Sequence, residues 1–430
     1  MTQFRNWSGS VEFSPKRIEQ PSSEAELQAL IAECSKSQTP VRVVGSGHSF
    51  TKVVETEGVL VSLDNLQGIL GVDDKGFAEV WGGTKLWRMN ELLAQKKRGP
   101  ENLGDIDRQS IAGTVSTGTH GTGATLGSVA TQLRELTLVT ANGQLLTCSP
   151  EQNPETFKAA QVSLGSLGVI SRVKLMTLPA YKMKLVARKE VLEDLLNDLP
   201  ARVSGNRHME FFTFPYSKYV QAKYSNFTDE PAQKRGFKDY FNDVVMENLA
   251  FMLLSVISRW VPGTTKAVSQ ICGAAIGDAT KVNWAHEAYA TPRMVKFQEM
   301  EFSFPREQMA DVVREIREMI EKKNVRVHFP LECRFVKGDD IWLSPAYGRD
   351  SAYIAVHMYK GMEYKPYFEA VQSIFRNHQG RPHWGKMHFM TAKELRPLYP
   401  MWDRFQEVRK QLDPKGVFMS EYLKKLFVES

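Results

Sequence analysis

The chain has 430 residues, 42% of them apolar and 24% charged, with a net charge of +6 at pH 7. That length exceeds one simple core and predicts two domains in a chain of ordinary globular composition. Basic and acidic residues are interspersed, which excludes a nucleic-acid footprint and suits an anionic small ligand.

Read in chain order, the N-terminus lacks an apolar h-region, so no signal peptide is expected. Residues 24–35 carry Leu27, Leu30 and Ile31 on one face with acids near the start, which predicts a helix. Residues 41–50 read Val-Arg-Val-Val-Gly-Ser-Gly-His-Ser-Phe. Val41, Val43 and Val44 predict a buried strand. Gly45 and Gly47 allow a tight turn that bares N–H groups to an anion, with His48 at the edge of the loop. The nicotinamide fingerprint fails here, because its third glycine falls at Phe50. A turn-capping histidine is the plainer reading of His48.

Residues 59–63 and 78–81 are strand candidates, and 86–96 reads as a helix with Leu86, Met89, Leu92 and Leu93 on one face. Residues 110–123 then surround His120 with glycines and hydroxyl residues. Such a run is expected to form no core face and to lay donors against a pyrophosphate and a flat ring. A Gly/Thr-rich surface loop is the alternative. Two anion-cradling loops predict one extended dinucleotide held between them. Residues 136–140 and 144–148 flank Asn142-Gly143, a hairpin signal that favours a two-residue primed turn, and 169–176 closes this α+β portion.

From about residue 180 the texture changes. Helices at 306–322 and 366–376 alternate with strands at 208–214, 325–329 and 353–358, which predicts an antiparallel sheet backed by helices. Segment 225–285 reads as a helical excursion. Within it, 244–262 is the one membrane suspect, but Glu247 and Arg259 leave it far short of the roughly 20 residues a span needs. A buried or interfacial helix is expected there, with peripheral membrane association as the residual membrane reading. Cys34, Cys148, Cys272 and Cys333 lie far apart, with no metal-ligand spacing. No metal site or disulfide framework is read, and free thiols fit a reducing, cytoplasmic compartment.

Several segments together resemble the vanillyl-alcohol oxidase type of flavoprotein, and within it the sugar-1,4-lactone and alditol oxidoreductases. They are Val44-Gly45-Ser46-Gly47-His48-Ser49, residues 110–123, Ser163-Leu164-Gly165-Ser166-Leu167-Gly168-Val169-Ile170, Glu332-Cys333-Arg334, residues 343–350 and His383-Trp384-Gly385-Lys386. The resemblance implies an α+β fold, with a two-subdomain FAD-binding domain over 1–178. An antiparallel-sheet substrate domain follows over 179–430, its segment 379–430 returning to the flavin. It implies FAD held by Val44, Gly45, Ser46, Gly47, Ser49, Phe50, Asp105, Ser110, Gly113, Thr117, Gly118, Thr119, His120, Gly121, Val169 and Lys386, and joined covalently through His48. It also implies catalysis by Glu332, Arg334 and Lys386.

Glu332 and Arg334 alternate on a predicted strand and so point the same way. A surface ion pair is the plainer reading of the two. If they line a solvated cleft, their loss costs catalysis more than folding. His357 and Tyr359 alternate likewise and are candidate substrate contacts beside Asp105, Glu332 and Arg334, although a strand histidine is commonly a satisfied core residue. Alditol-oxidising members carry serine where this chain has Asp105, which favours a lactone substrate. The resemblance implies that Gly104 stands where dehydrogenase-type members place alanine to block oxygen, which makes it a candidate oxygen gate; relaxing a turn is its other reading. The implied reaction is hydride transfer from an aldono-1,4-lactone of the gulono-, galactono- or arabinono-lactone type to FAD, with dioxygen or another electron acceptor downstream. The rivals are an alditol oxidase and a flavin-free binding module.

Overall fold

A computed structural model describes residues 3–233, 247–288 and 295–428. Helix Glu24–Lys36 forms where it was expected. Ser23 caps it by accepting from the Glu26 N–H at 3.1 Å, and Leu27, Ile31 and Cys34 are buried. Strand Val41–Val44 pairs in parallel with Val59–Ser62, which pairs in parallel with Arg17–Glu19. A second sheet of six strands centres on Val169–Pro179, flanked by Leu133–Val139 and Phe77–Trp81.

The hairpin at 133–148 forms with a different turn. Thr140 and Gln144 close a three-residue loop, and Gly143 sits at φ +78°. The single left-handed glycine replaces the primed pair, because Gly143 packs on helix Glu24–Lys36, where Gln28 Nε2 donates to its carbonyl at 2.9 Å.

Sheet membership changes after Pro179. Strand Lys182–Val191 belongs to a third sheet of eight strands, whose neighbours all pair antiparallel among the described residues. Helices Met309–Lys322 and Lys365–Asn377 bury their apolar stripes; Met309, Val312, Val313, Ile316 and Ile320 of the first are fully enclosed. Each such side chain contributes about 1.5–3 kcal/mol through removal from water.

Two expectations fail locally. Residues 325–329 are not a strand. Helix Met309–Lys322 ends with Asn324 at φ +48°, and the Val325 N–H returns to the Ile320 carbonyl at 2.9 Å. The next residues therefore finish the helix cap, and pairing begins only at Leu331–Val336. The run 110–123 does supply core: Ile111–Ser116 is a short helix with Ile111, Thr114 and Val115 at 0% exposure. Its apolar side packs inward and leaves Gly113 and Thr117 to the cleft.

The excursion is partly helical, as expected. Helices Glu247–Trp260 and Thr265–Ala274 are followed by strand Ala279–Trp284, which returns to the edge of the third sheet. Residues 244–246 of the membrane suspect lie outside the described residues. No described helix is long and apolar enough to cross a membrane.

Candidate active site

Strand period builds the site. In strand Phe297–Pro305, Met300, Phe302 and Phe304 enter the core, so Glu299, Glu301 and Ser303 take the other face. The same alternation puts Cys333 and Phe335 inward and sets Glu332 and Arg334 opposite. Antiparallel register aligns these faces in rows. Glu332 and Glu301 flank Ala355, Arg334 faces Tyr353, and Glu299 faces His357.

Arg334 is the hub of one ion cluster. Its Nε donates to Glu210 at 3.1 Å, and its Nη2 lies 2.8 Å from Asp105 and also contacts Glu332. Burial opposes its charge, but Asp105, Glu332 and Glu210 outweigh that and hold the guanidinium firmly protonated. Lys386 forms the second cluster, 2.5 Å from Glu299. The Glu299 carboxyl is buried, which raises its pKa, yet Lys386 and His357 pull it down to about 2. His357 Nε2 bridges the two clusters, 3.6 Å from Glu299 and 3.8 Å from Glu332.

A third pair lies beside them. His120 Nδ1 donates to the Gly121 carbonyl at 2.8 Å, because a carbonyl only accepts. Its Nε2 stands 3.2 Å from Glu301, so one proton lies between these atoms. Burial would raise Glu301, but the charge and hydrogen bond of His120 hold its carboxyl well below the usual range. His383 Nδ1 accepts the Gly385 N–H at 3.0 Å, which leaves its proton on Nε2.

The C-terminal segment closes the cavity. Arg381 and Pro382 pair with Ser303 and Phe302, and the His383 and Met387 N–H groups donate to the Glu301 and Glu299 carbonyls, each at 2.9 Å. Phe50 N–H donates to the Gly385 carbonyl at 2.8 Å, which ties this segment to the His48 loop.

Two clefts share His48, Ser49, Gln109 and Thr117 as walls. Val44, Gly45, Ser46, Gly47, Ser110, Gly113 and Val169 line the first. Phe50, Gly104, Asp105, Thr119, His120, Glu332, Arg334, His357 and Lys386 line the second. Gly118 and Gly121 line neither. Gly118 takes a left-handed φ of +71°, and Gly121 is a packing glycine, since a Cβ there would lie 2.2 Å from the Leu103 carbonyl oxygen. Tyr359 is not in the cavity wall either, and stacks on Phe329 at 6.4 Å. The sequence reading missed Glu210, Glu299, Glu301, His383, Trp7 and Phe297. The alternation Glu299-Met300-Glu301-Phe302-Ser303-Phe304 was the available signal for the strand that holds three of them, Phe297, Glu299 and Glu301.

The residues present fit FAD. Gly45 leaves no room for a Cβ, which would meet Ser110 Oγ at 2.1 Å, so bare backbone lines the cleft beside Ser110. His48 stands where the clefts meet, its ring 5.7 Å from that of Trp7. Burial and the charges of Lys386 and Lys85 lower its pKa to about 4, so its imidazole is neutral and nucleophilic at physiological pH.

These features define a flavoprotein fold, with a glycine-walled cofactor cleft opening onto an ionised pocket. Residues 15–149 match the family model described as FAD binding domain, and 173–426 match the one described as D-arabinono-1,4-lactone oxidase. The chain belongs to this family of FAD-binding sugar-lactone oxidoreductases. It is 40% identical over 425 residues to L-gulono-1,4-lactone dehydrogenase of Mycobacterium tuberculosis, covering 98% of each chain. It is 32% identical to L-gulonolactone oxidase of Bos taurus, over 99% of this chain and 98% of the other. Among solved structures, cholesterol oxidase of B. sterolicum shares the fold with a TM-score of 0.82 at 17% identity, over 99% of this chain and 96% of that one.

Proposed function

We propose that the protein oxidises the secondary alcohol beside the carbonyl of an aldono-1,4-lactone of the gulono-, galactono- or arabinono-lactone type. The observation that carries this reading is the ionised floor formed by Arg334, Glu332, Glu299 and Lys386 directly beyond His48. When bound, FAD supplies the two-electron acceptor for the substrate hydride. Val44–Phe50, Ser110–Thr119 and Val169 would hold it, and the cofactor and substrate domains would divide at 178/179, with 379–430 returning to the site. Arg334 and Lys386 stabilise negative charge developing at the cofactor. Asp105, Glu332 and His357 bind sugar hydroxyls, and Glu332 and His357 hold the carbinol proton as it leaves. Asp105 pairs with Arg334 at 2.8 Å, and an acid in place of the serine of alditol-oxidising members favours the lactone over an alditol.

A panel of gulono-, galactono- and arabinono-lactones against xylitol and sorbitol tests the substrate class, run aerobically and then with a dye acceptor. Turnover of the polyols alone would overturn it. The buried free thiols support a reducing, cytoplasmic location, and the exposed apolar helix within 244–262 supports peripheral attachment to a membrane surface.

His48 is expected to carry FAD covalently. After acid denaturation, flavin fluorescence should travel with the chain on a gel and vanish in His48→Ala. Complete release of flavin from the parent would overturn the linkage.

Gly104 is the proposed oxygen gate. A Cβ there would lie 3.0 Å from the His120 carbonyl oxygen and 3.6 Å from Thr119 Cγ2, so alanine would crowd the pocket wall. Gly104→Ala should slow reoxidation by oxygen and leave anaerobic reduction by the lactone nearly intact, read by stopped flow. An alanine variant that reoxidises as fast as the parent removes the gate, and a parent barely reactive with oxygen is a dehydrogenase.

A further inference from the structure

Helix Glu247–Trp260 is built inside out. Leu249, Met252, Leu253, Val256, Ile257 and Trp260 are exposed, Trp260 by 75%, while Ser255 and Ser258 are fully buried. The apolar positions recur at intervals of three and four residues, so they form one continuous stripe turned away from the protein. The rotation is held from within. Ser255 Oγ donates to the Phe251 carbonyl at 2.7 Å and meets His328 Nε2 at 2.9 Å, and the Phe251 ring packs on Phe329 at 4.8 Å. Phe329 packs in turn on Phe297, a wall of the second cleft. Val261 and Ile271 are also exposed. Contiguous exposed apolar surface of this kind marks an interaction site.

A cationic cluster flanks the end of the stripe. The Lys360 N–H donates to the Lys296 carbonyl at 3.1 Å, which places both at one strand edge. Lys360 Nζ and Arg5 Nε lie 2.7 and 2.9 Å from the point a Cβ on Gly9 would occupy, and the Arg259 guanidinium lies 2.5 Å from the equivalent point on Gly361. Burial and the like charges of Arg5, Lys296 and Arg259 lower the Lys360 pKa, with Glu12 as the opposing acid.

We propose that this face seats the protein on an anionic lipid bilayer. The stripe enters the acyl boundary, and Arg5, Arg259, Lys296 and Lys360 meet headgroup phosphates. The proposal rests on the surface-attachment reading above and adds the lipid class. At 1.5 Å per residue the helix is about 21 Å long, so it lies in the interface and does not span.

Flotation of the flavin-loaded, full-length protein with phosphatidylcholine vesicles, with and without phosphatidylglycerol, tests this. The protein should float with the anionic vesicles at low salt, and the Trp260 contribution to emission, isolated by Trp260→Phe, should shift to the blue. Leu253→Asp with Ile257→Asp, and separately Arg259→Glu with Lys360→Glu, should each lower the bound fraction about tenfold or more, with lactone-driven flavin reduction unchanged. Equal binding to both vesicle types overturns the anionic assignment and leaves attachment standing. Failure to float with either overturns both. A concentration-dependent dimer broken by Leu253→Asp gives the face to a second copy and overturns the lipid proposal.

Discussion

Arg334→Ala is expected to slow flavin reduction by the lactone by about 10²-fold or more, as loss of one preorganised charge does. Arg334 joins Asp105, Glu210 and Glu332, and its side chain is only 11% exposed. Its removal leaves these carboxylates facing one another, so they must take up protons. The reductive rate should therefore acquire a new pH dependence, with activity lost where the cluster protonates. Arg334→Lys should recover only part of the rate, because an ammonium cannot reproduce the planar fork between several acids. Loss of the central cation should also lower the melting temperature, since breaking a buried ion cluster typically costs about 3–5 kcal/mol. Here the structure corrects the solvated-cleft expectation: Glu332 is 6% exposed, so breaking this cluster is expected to cost stability as well as rate. Glu332→Ala and Lys386→Ala should likewise slow reduction while flavin stays bound. Near-parent reduction rates in all three variants, measured anaerobically, would make this a structural ion network only.

Arg42→Met is expected to have the largest effect on folding. The guanidinium lies inside the protein, where burial lowers its pKa to about 9 against the raising influence of Asp413. It donates to the carbonyls of Val53 at 2.8 Å, Gly165 at 3.1 Å, Phe418 at 2.7 Å and Leu164 at 2.5 Å. One side chain thus ties the strand before the Gly45 turn to the 164–165 turn and to the C-terminal segment. Methionine fills comparable length but leaves four acceptors without this donor, and the three buried ones cost about 1–3 kcal/mol each. Against a total stability of about 5–15 kcal/mol, that sum threatens the fold. The variant should give little soluble protein and should lose flavin from what remains. Arg42→Lys, with one donor head in place of the fork, should fall between. A methionine variant that melts within about 2 °C of the parent and keeps its flavin would refute this role.

The motifs visible in sequence are those whose chemistry is local. The Gly45–His48 turn, the Gly/Thr run and the Glu332/Arg334 pair each occupy a few consecutive residues. Their resemblance to a flavoprotein family extends along the chain and agrees with both family models. The helices at 24–36 and 309–322 were legible because their apolar residues follow the helical period. One error arose where a neighbour outside the local window decided the outcome, the other from a local helix cap. Gly143 took a bulged turn because a helix more than 100 residues earlier packs on it. Residues 325–329 looked like a strand by composition but complete a helix cap.

Short motifs carry the cofactor class, the two glycine-lined loops and the Glu332/Arg334 pair on one strand face. Period, turn chemistry and short motifs are carried by neighbouring residues. Tertiary structure alone decided what those residues meet. Cross-strand register set Glu299 opposite His357 and Glu301 in a row with Glu332. The return of residues 381–387 placed Lys386 on Glu299, and the 105 loop brought Asp105 to Arg334. These contacts join segments far apart in the chain, and their charges take their values from burial and from one another. A carboxylate such as Glu299 is an ordinary acid in the sequence, and becomes a strong buried anion only where the fold sets Lys386 and His357 against it.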